Sequence, residues 1–376
     1  MMKVKFGDVV NRVNIKVDRH HTDRIYYVGG EHIESNELMI HDKGLIKGST
    51  IGYKFHFGFN PRHILFMSRN PHLRKCSMVN FSGVCSDSTY VVETKDDSVL
   101  LQDYLLFEMQ SDRFWKWAEE HKSGGVNYLI NYATLSSYEF FLPSLSVQRE
   151  LSKKLWAAYR LKESYKKLLL ATRDMVKSQF IEMFDCYADR VALSSLCDTF
   201  IDGNWIEAKD QSDTGIRLIQ TGNVGVGTFK DKDDKARYIS EETFNRLNCT
   251  EVVEGDILIS RLPDPVGRAC IIPAGLGKSI TAVDCTIIRL NDKVLPKFFV
   301  AFTNTPDYAM QIKKVLSGTT RLRVSRANLG KIQVPLPSID KQQQFVTIAD
   351  QADKSEFELK KSIKAINAVI KSLLNN

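Results

Sequence analysis

The chain of 376 residues has no apolar run approaching the roughly 20 residues that a membrane-spanning helix requires. Its first residues also lack the apolar core of a secretory signal peptide. Its seven cysteines form no CxxC pair and no Cys/His spacing typical of a metal site. An odd, scattered set of cysteines indicates reduced thiols, so we expect a soluble protein of the cytoplasm.

Complete catalytic motifs are missing as well. A methyltransferase that modifies a base amino group needs an Asn/Asp-Pro-Pro-aromatic loop, which neither residues 69–72 (Arg-Asn-Pro-His) nor residues 263–266 (Pro-Asp-Pro-Val) supply. Residues 274–279 end like a phosphate-binding loop, but Ile272 stands where that loop needs its first glycine. Residues 93–95 (Glu-Thr-Lys) match half of a nuclease motif, and no Pro-Asp pair stands at a suitable distance. We therefore expect a chain that is not an enzyme and that holds no cofactor or metal.

Length and charge permit two domains and a nucleic-acid partner. A chain of this length can form two domains of ordinary size, each with its own core. The 52 Lys and Arg residues exceed the 45 Asp and Glu residues, which gives a net charge of +7. This charge allows DNA binding but does not establish it, because many soluble proteins are equally basic.

The sequence contains a long internal repeat. Residues 141–151 (FLPSLSVQREL) recur as residues 335–345 (PLPSIDKQQQF), so that Pro143, Ser144 and Gln148 have counterparts 194 residues further on. A Ser-Gly pair upstream repeats at the same distance, at residues 123–124 and 317–318. A repeat of this length indicates two whole modules, each a globular region followed by a helix, rather than a solenoid.

Each copy of the repeat opens a long helical pattern. No Gly or Pro interrupts residues 146–184, and a helix of that length would extend about 55 Å. Its apolar residues follow spacings of three and four: Leu151, Leu155, Ala158, Leu161, Tyr165, Leu168, Thr172 and Met175. We expect the second helix to begin at Asp340, a suitable N-cap, and to carry a similar stripe. Narrow stripes need partners, so the two helices either pair within one chain, antiparallel, or form a homodimeric coiled coil. The first alternative is favoured because one chain carries both stripes.

These patterns predict an α+β fold with two globular domains of mixed α/β type, joined by two long helices that pair as an antiparallel coiled coil. The predicted domains are residues 1–141 and 185–334, and the predicted helical segments are residues 142–184 and 335–376. Within the first domain, residues 24–28 are predicted as a strand and residues 101–122 as one helix.

Polar loops offer side chains suited to DNA. If residues 321–325 are extended, Arg321, Arg323 and Ser325 share one face, with Leu322 and Val324 opposite. Guanidinium groups on that face could contact phosphates or guanine, whereas the alternative is a solvated edge strand. The counterpart of Arg321 in the first module is Asn127, and asparagine suits adenine. A second matched pair consists of strands that end in Ser-Arg, at residues 68–69 and 260–261. The full set of candidate DNA-binding residues is Ser68, Arg69, Asn70, His72, Arg74, Lys75, Asn127, Tyr128, Thr221, Asn223, Ser260, Arg261, Arg268, Thr319, Thr320, Arg321 and Arg323.

The whole layout resembles the specificity subunit of type I restriction-modification systems. The resemblance rests on residues 317–320 (Ser-Gly-Thr-Thr) leading through residues 334–337 (Val-Pro-Leu-Pro) to Gln342, on residues 256–261 (Asp-Ile-Leu-Ile-Ser-Arg), and on the two-fold alternation along the chain. The first module departs from the pattern, since Gly125 and Val126 replace the two threonines.

The resemblance implies two target-recognition domains that each read half of a split DNA site, with spacer helices that set the gap. It also implies partners: double-stranded DNA, two methyltransferase subunits that modify adenine with S-adenosylmethionine, and restriction subunits that cleave DNA using ATP. Two alternatives remain open at this point, a related system with a fused methyltransferase-nuclease and a scaffold that reads no sequence.

Overall fold

A computed structural model describes residues 2–185, 187–319 and 321–375. The chain forms two compact units, and each unit contains parts of both long helices. Unit 1 comprises Met1–Lys166 and Lys361–Asn376, and unit 2 comprises Lys167–Lys360. No helix in the described ranges is long and apolar enough to cross a membrane.

The described residues of unit 1 form three sheets. Its strands are β1 (Met2–Lys5), β2 (Val10–Arg12), β3 (Ile15–Lys16), β4 (Tyr26–Val28), β5 (Gly44–Leu45), β6 (Phe55–Phe59), β7 (Ile64–Met67), β8 (Cys76–Met78), β9 (Gly83–Ser86), β10 (Thr89–Thr94) and β11 (Glu139–Leu142). Its helices are α1 (Phe6–Val9), α2 (Gln102–Gln110), α3 (Asp112–Glu120), α4 (Tyr132–Ser136), the first part of α5 (Leu145–Phe184) and the last part of the second long helix (Ile339–Asn375). The sheets have the strand orders β1-β11, β2-β10-β7-β8 and β3-β6-β9-β4-β5.

Unit 2 repeats this plan with a smaller third sheet. Its strands are β12 (Arg190–Ala192), β13 (Cys197–Asp202), β14 (Ile216–Ile219), β15 (Arg237–Ile239), β16 (Ile257–Ser260), β17 (Ala269–Ile271), β18 (Ser279–Thr281), β19 (Cys285–Leu290) and β20 (Gln333–Pro335). Its helices are the last part of α5, α6 (Glu241–Arg246), α7 (Pro296–Phe302), α8 (Pro306–Lys314), α9 (Arg326–Leu329) and the first part of α10 (Ile339–Asn375). The sheets have the orders β12-β20, β13-β19-β16-β17 and β15-β14-β18.

Corresponding elements of the two units follow one topology. The four-stranded sheets, β2-β10-β7-β8 and β13-β19-β16-β17, are antiparallel at every pairing. Each third sheet contains one parallel pair, β4 with β9 in unit 1 and β14 with β18 in unit 2. The two modules inferred from the repeated sequence are therefore two copies of one fold.

Aromatic and aliphatic side chains fill the core of each unit. In unit 1, Phe66 of β7 stacks on Trp115 of α3 with ring centroids 5.8 Å apart, and both side chains are fully buried. In unit 2, Phe298 of α7 lies 5.0 Å from the ring of Phe184. Fully burying a side chain of this size contributes about 1.5–3 kcal/mol to stability, so these clusters hold sheets and helices together.

The long helices pack together as an antiparallel coiled coil. In unit 1, Leu155 and Tyr159 near the start of α5 share the core with Ile370 near the end of α10. In unit 2, the ring of Phe180 near the end of α5 lies 5.1 Å from that of Phe345 near the start of α10. The pairing predicted within one chain is thus confirmed.

One buried glutamine in each unit connects the start of a long helix to the helical layer of the globular part. The side-chain oxygen of Gln148 accepts a hydrogen bond from the backbone N–H of Leu101 (2.9 Å), and its NH2 group donates to the carbonyl oxygens of Val99 and Pro143 (3.0 Å each). In unit 2, Gln342 makes the same three bonds with partners 194 residues further on: Leu295 (2.9 Å), Lys293 (2.9 Å) and Pro337 (3.0 Å). The repeated glutamine is therefore an architectural residue.

Several predicted element bounds are wrong. The helix predicted over residues 101–122 is two helices, because Ser111 has an extended backbone and its side chain accepts from the N–H of Phe114 to cap α3. The predicted strand over residues 24–28 is shorter, because only Tyr26–Val28 (β4) pair with neighbouring strands. The second long helix begins at Ile339, one residue before the predicted Asp340.

We expect Gln342→Ala to lower the free energy of unfolding by about 2–4 kcal/mol, because it leaves a buried N–H and two carbonyl groups without their partner. Urea denaturation monitored by circular dichroism measures the change. Gln343→Ala is the matched control, since that neighbouring side chain is exposed. Equal stability of the two variants would contradict the architectural role of Gln342.

Candidate nucleic-acid interface

Each unit displays one short loop, closed in the same way. In unit 1, Ser123 and Leu129 exchange two backbone hydrogen bonds, of 2.8 and 2.9 Å. In unit 2, Ser317 and Arg323 do the same, at 2.9 and 2.8 Å. We call residues 123–129 and 317–323 the recognition loops.

A glycine in left-handed backbone conformation makes this closure possible. Gly124 has φ of +102° and Gly318 has φ of +101°. A Cβ atom on either glycine would collide with the carbonyl oxygen three residues later, on Asn127 or Arg321. The Ser-Gly pair thus shapes both loops, and the departure at Gly125 and Val126 leaves the loop of unit 1 intact.

The recognition loops expose different side chains. Loop 317–323 exposes Thr319, Arg321 and Arg323, and within the described residues neither arginine has a side-chain hydrogen bond or ion pair. Val324 beyond the loop is fully buried, as the predicted alternation requires, whereas Leu322 is 47% exposed and does not follow it. Thr320 lies outside the described residues.

Loop 123–129 contains no charged residue. Asn127 is exposed, and Tyr128 is half-buried with the Lys122 ammonium 4.3 Å from its ring centroid. An amide stands here at the position that a guanidinium occupies in the other loop.

The Ser-Arg segments lie against the recognition loops. In unit 1, Ser68 accepts a backbone bond from Ile130 (2.9 Å), and the N–H of Asn70 donates to the carbonyl of Tyr128 (2.9 Å). In unit 2, the N–H of Val324 donates to the carbonyl of Arg261 (3.3 Å). The structure therefore brings these sequence-predicted candidates together within each unit, and it leaves Arg69 and His72 exposed beside the loop of unit 1.

Arg268 connects two loops of unit 2. Its Nε donates to the carbonyl of Val224 (2.7 Å) and its Nη2 to that of Thr221 (2.8 Å). Its Nη1 donates to the carbonyls of Leu262 (2.8 Å) and Pro265 (2.9 Å). Burial lowers the pKa of this guanidinium, yet four bonds to carbonyls keep it in place. This geometry favours a supporting role for Arg268.

Other candidates in unit 2 also bond within the protein. The guanidinium of Arg261 donates to the carbonyl of Val283 (2.6 Å) and lies 3.5 Å from a carboxylate oxygen of Asp202. The buried Asn223 accepts from the N–H of Gln220 (2.9 Å), and the buried Ser260 donates to the carbonyl of Leu262 (3.3 Å). Thr221 is half-buried at the turn that Arg268 holds.

Three candidates of unit 1 are similarly engaged. The hydroxyl of Ser68 donates to the carbonyl of Ser88 (2.7 Å), and Arg74 pairs with Asp112 (2.6 Å). Lys75 donates to the carbonyl of Gly30 at 2.5 Å. The sequence reports residue type but not long-range partners, so it could not separate these residues from the exposed Arg69.

Lys232 and Lys235, which were not predicted as site residues, lie close to the turn of Thr221 and Asn223. The sequence signal for these lysines was the run of alternating charges at residues 230–237 (KDKDDKAR).

In the described ranges, no group of three or more His, Cys, Asp or Glu side chains is placed to hold a metal ion. Burial raises the pKa of Cys270 to about 12 and of Cys285 to about 11, so both remain neutral thiols.

Comparisons with known proteins agree with this fold. A structure described as "Structural basis underlying complex assembly and conformational transition of the type I R-M system" matches with a TM-score of 0.61 and 16% identity over 99% of this chain and 96% of the other. The type I restriction-modification S subunit from M. genitalium matches with a TM-score of 0.55 and 14% identity over 99% of this chain and 94% of the other. A search of curated proteins finds no match.

The fold is thus that of type I restriction-modification S subunits. Residues 189–368 match the family model described as "Type I restriction modification DNA specificity domain". The resemblance inferred from the sequence is confirmed, by the family model over residues 189–368 and by the fold over nearly the whole chain.

We expect Arg268→Ala to lower the free energy of unfolding by about 2–4 kcal/mol, because four carbonyl groups lose a charge-assisted donor. Arg268→Lys should recover only part of this loss, since an ammonium cannot reach all four acceptors. Arg323→Ala is the control and should change stability by less than about 0.5 kcal/mol. A stable Arg268→Ala variant would instead leave this arginine free for a direct role at the surface.

Proposed function

We propose that this chain is the DNA-binding specificity subunit of a type I restriction-modification complex and that it reads a bipartite, asymmetric target. The observation that carries the proposal is the pair of recognition loops, closed by the same backbone bonds but exposing different side chains. Asn127 stands opposite Arg321 in the repeat, and Leu129 opposite Arg323. Two recognition domains with the same fold but different exposed side chains are suited to binding two half-sites of different sequence.

The chemistry of the exposed groups supports direct reading of bases. An arginine fork can donate two bonds to the O6 and N7 of guanine, and an asparagine amide can pair with the N6 and N7 of adenine. Arg69, His72, Thr319 and Arg323 are exposed and could contribute base or phosphate contacts. The engaged residues, among them Arg268, Asn223 and Lys75, would act by holding the loops.

The chain itself is proposed to be non-catalytic and to act through partners. Methyltransferase subunits, two in number, would modify adenine in each half-site with S-adenosylmethionine, and restriction subunits would translocate and cleave unmodified DNA using ATP. The coiled coil would act as the spacer between the two recognition domains. The domain bounds drawn from the sequence, at residues 141, 184 and 334, stay a prediction.

Mapping methylated adenines in the source genome, with and without this gene, tests the proposal. We expect a split, asymmetric motif that disappears on deletion and returns when the gene is restored. A continuous or perfectly palindromic motif would contradict the asymmetric reading. Salt-sensitive binding of the assembled complex with no sequence preference would favour a scaffold instead.

We expect Arg321→Ala to weaken specific binding by about 1–3 kcal/mol and to relax selection at one position of one half-site, if the guanidinium grips a base edge. Binding of the reconstituted complex to a library of half-site variants measures both effects. Asn127→Ala is the matched variant and should relax the other half-site only. An equal loss across all sequences would make Arg321 a phosphate contact, and no change in either quantity would remove this loop from the interface.

A further inference from the structure

The two units share a second matched feature, a short turn that follows the first strand of the parallel pair in the third sheet. In unit 1 the turn spans Gly29–His32 after β4, and the N–H of Gly29 donates to Nδ1 of His32 (2.9 Å). In unit 2 it spans Gln220–Asn223 after β14, and the N–H of Gln220 donates to Oδ1 of Asn223 (2.9 Å). The same backbone-to-side-chain bond thus closes both turns.

A cation supports each turn from the neighbouring sheet. Lys75 donates to the carbonyl of Gly30 in unit 1, at 2.5 Å, and Arg268 donates to the carbonyl of Thr221 in unit 2, at 2.8 Å. Each acceptor is the second residue of its turn. The two turns therefore occupy corresponding positions, and their remaining side chains can be compared directly.

The third position of the turn differs in charge. Unit 1 has Glu31 there, with a carboxylate oxygen 3.7 Å from His32 and a side chain that is 66% exposed. Unit 2 has Gly222, and a Cβ built on it would meet only the ammonium of Lys232, at 3.1 Å. The carboxylate of unit 1 is thus replaced in unit 2 by a glycine that lies beside the ammonium group of Lys232.

A groove of about 430 Å³ lies between the turn of unit 2 and residues 230–237. Its charged lining residues are Arg217, Lys232, Lys235 and Arg237, and among the described residues no carboxylate lines it. Arg217 is already paired with Asp231 and Asp233. Lys232 and Lys235 have no ion-pair partner in the part of the chain that the structure describes. Two ammonium groups are therefore available in a concave site.

Direct contacts link this groove to the recognition loop of unit 2. The backbone carbonyl of Asn223 accepts a hydrogen bond from the N–H of Lys230 (2.7 Å). The side-chain NH2 group of Asn223 donates a second bond to the carbonyl of Lys230 (2.9 Å). The guanidinium of Arg268 donates both to the turn, at Thr221, and to the carbonyl of Leu262. The residue before Leu262, Arg261, accepts a backbone hydrogen bond from Val324, which directly follows the recognition loop. The groove and the recognition loop thus form one hydrogen-bonded framework.

We propose that this groove binds phosphodiester groups of the DNA backbone beside the bases read by unit 2, and that the corresponding turn of unit 1 does not. The proposal rests on the proposed function. Lysine ammonium groups neutralise phosphate without regard to sequence, and Gly222 places no carboxylate beside them. Glu31 would repel a phosphate at the same place in unit 1. Sequence-independent anchoring is therefore stronger in unit 2.

The test compares full-length wild type, the double variant Lys232→Gln/Lys235→Gln, and the control Lys293→Gln, whose side chain is an exposed lysine elsewhere in unit 2. Fluorescence anisotropy with a random-sequence duplex and with a duplex containing the target, over a series of salt concentrations, gives the slope of log K against log salt. We expect the slope to fall by about 0.9 per lysine removed, hence about 1.8 for the double variant. Affinity for both duplexes should fall by the same factor, and the control should match wild type.

Substitutions at the third position of the turn distinguish an effect of side-chain charge from an effect of side-chain size. We expect Gly222→Glu to weaken binding to both duplexes as the double variant does, because the new carboxylate pairs with Lys232. Gly222→Gln, of nearly the same size, should retain most of the affinity, and Glu31→Gly should change it little. Circular dichroism of each variant establishes that it folds.

Three results would overturn the proposal: an unchanged salt slope in the double variant, a loss confined to one base position, or equal effects of Gly222→Glu and Gly222→Gln. Inorganic phosphate that competes at low concentration with wild type but not with the double variant would also do so, because it would indicate a site for a free anion. If wild type fails to distinguish the two duplexes, the proposed function fails instead, whatever the slope shows.

Discussion

The structure depends above all on one buried carboxamide in each unit. Gln148 and Gln342 satisfy a backbone N–H at the start of α2 or α7 and two carbonyls, one of them in the proline segment before a long helix. A glutamine side chain can donate and accept at once, so it joins two backbone segments that could not bond each other. This contact fixes where each long helix leaves its globular part, and the helix in turn completes the core of that unit.

Arginine and lysine side chains have two roles in this chain. Those with protein partners hold loops together, and those that are exposed are available to a ligand. Arg268 is surrounded by carbonyl oxygens and holds loops together, whereas Arg321 is exposed and has no described side-chain partner. Lys75 and Lys232 differ in the same way, since the first supports a turn and the second lies in an open groove. A plan of buried bonds shared by the two units therefore allows the exposed positions to differ between them within one fold. The contrast between Glu31 and Gly222 shows how far two copies can diverge within that plan.

Periodicity and repetition made much of the architecture predictable. The spacing of apolar residues predicted both long helices and their pairing, because a narrow stripe needs a partner wherever it occurs. The break at Ser111 could not be predicted with the same ease, since one capping bond overrides a continuous apolar pattern there. The supporting roles of Arg268, Asn223 and Lys75 escaped prediction because their partners are backbone groups distant in sequence.

The division of the long helices between the units has a consequence for synthesis. Unit 2 is a continuous segment of chain, but unit 1 is discontinuous and includes residues from 361 onwards, where Ile370 is buried in its core. Domains generally fold as units in the order in which the ribosome releases them. Here that order is reversed, because the second unit can be complete while the first still lacks its final helical segment. Of the two units, the one whose translation starts first is therefore the last to reach its finished fold.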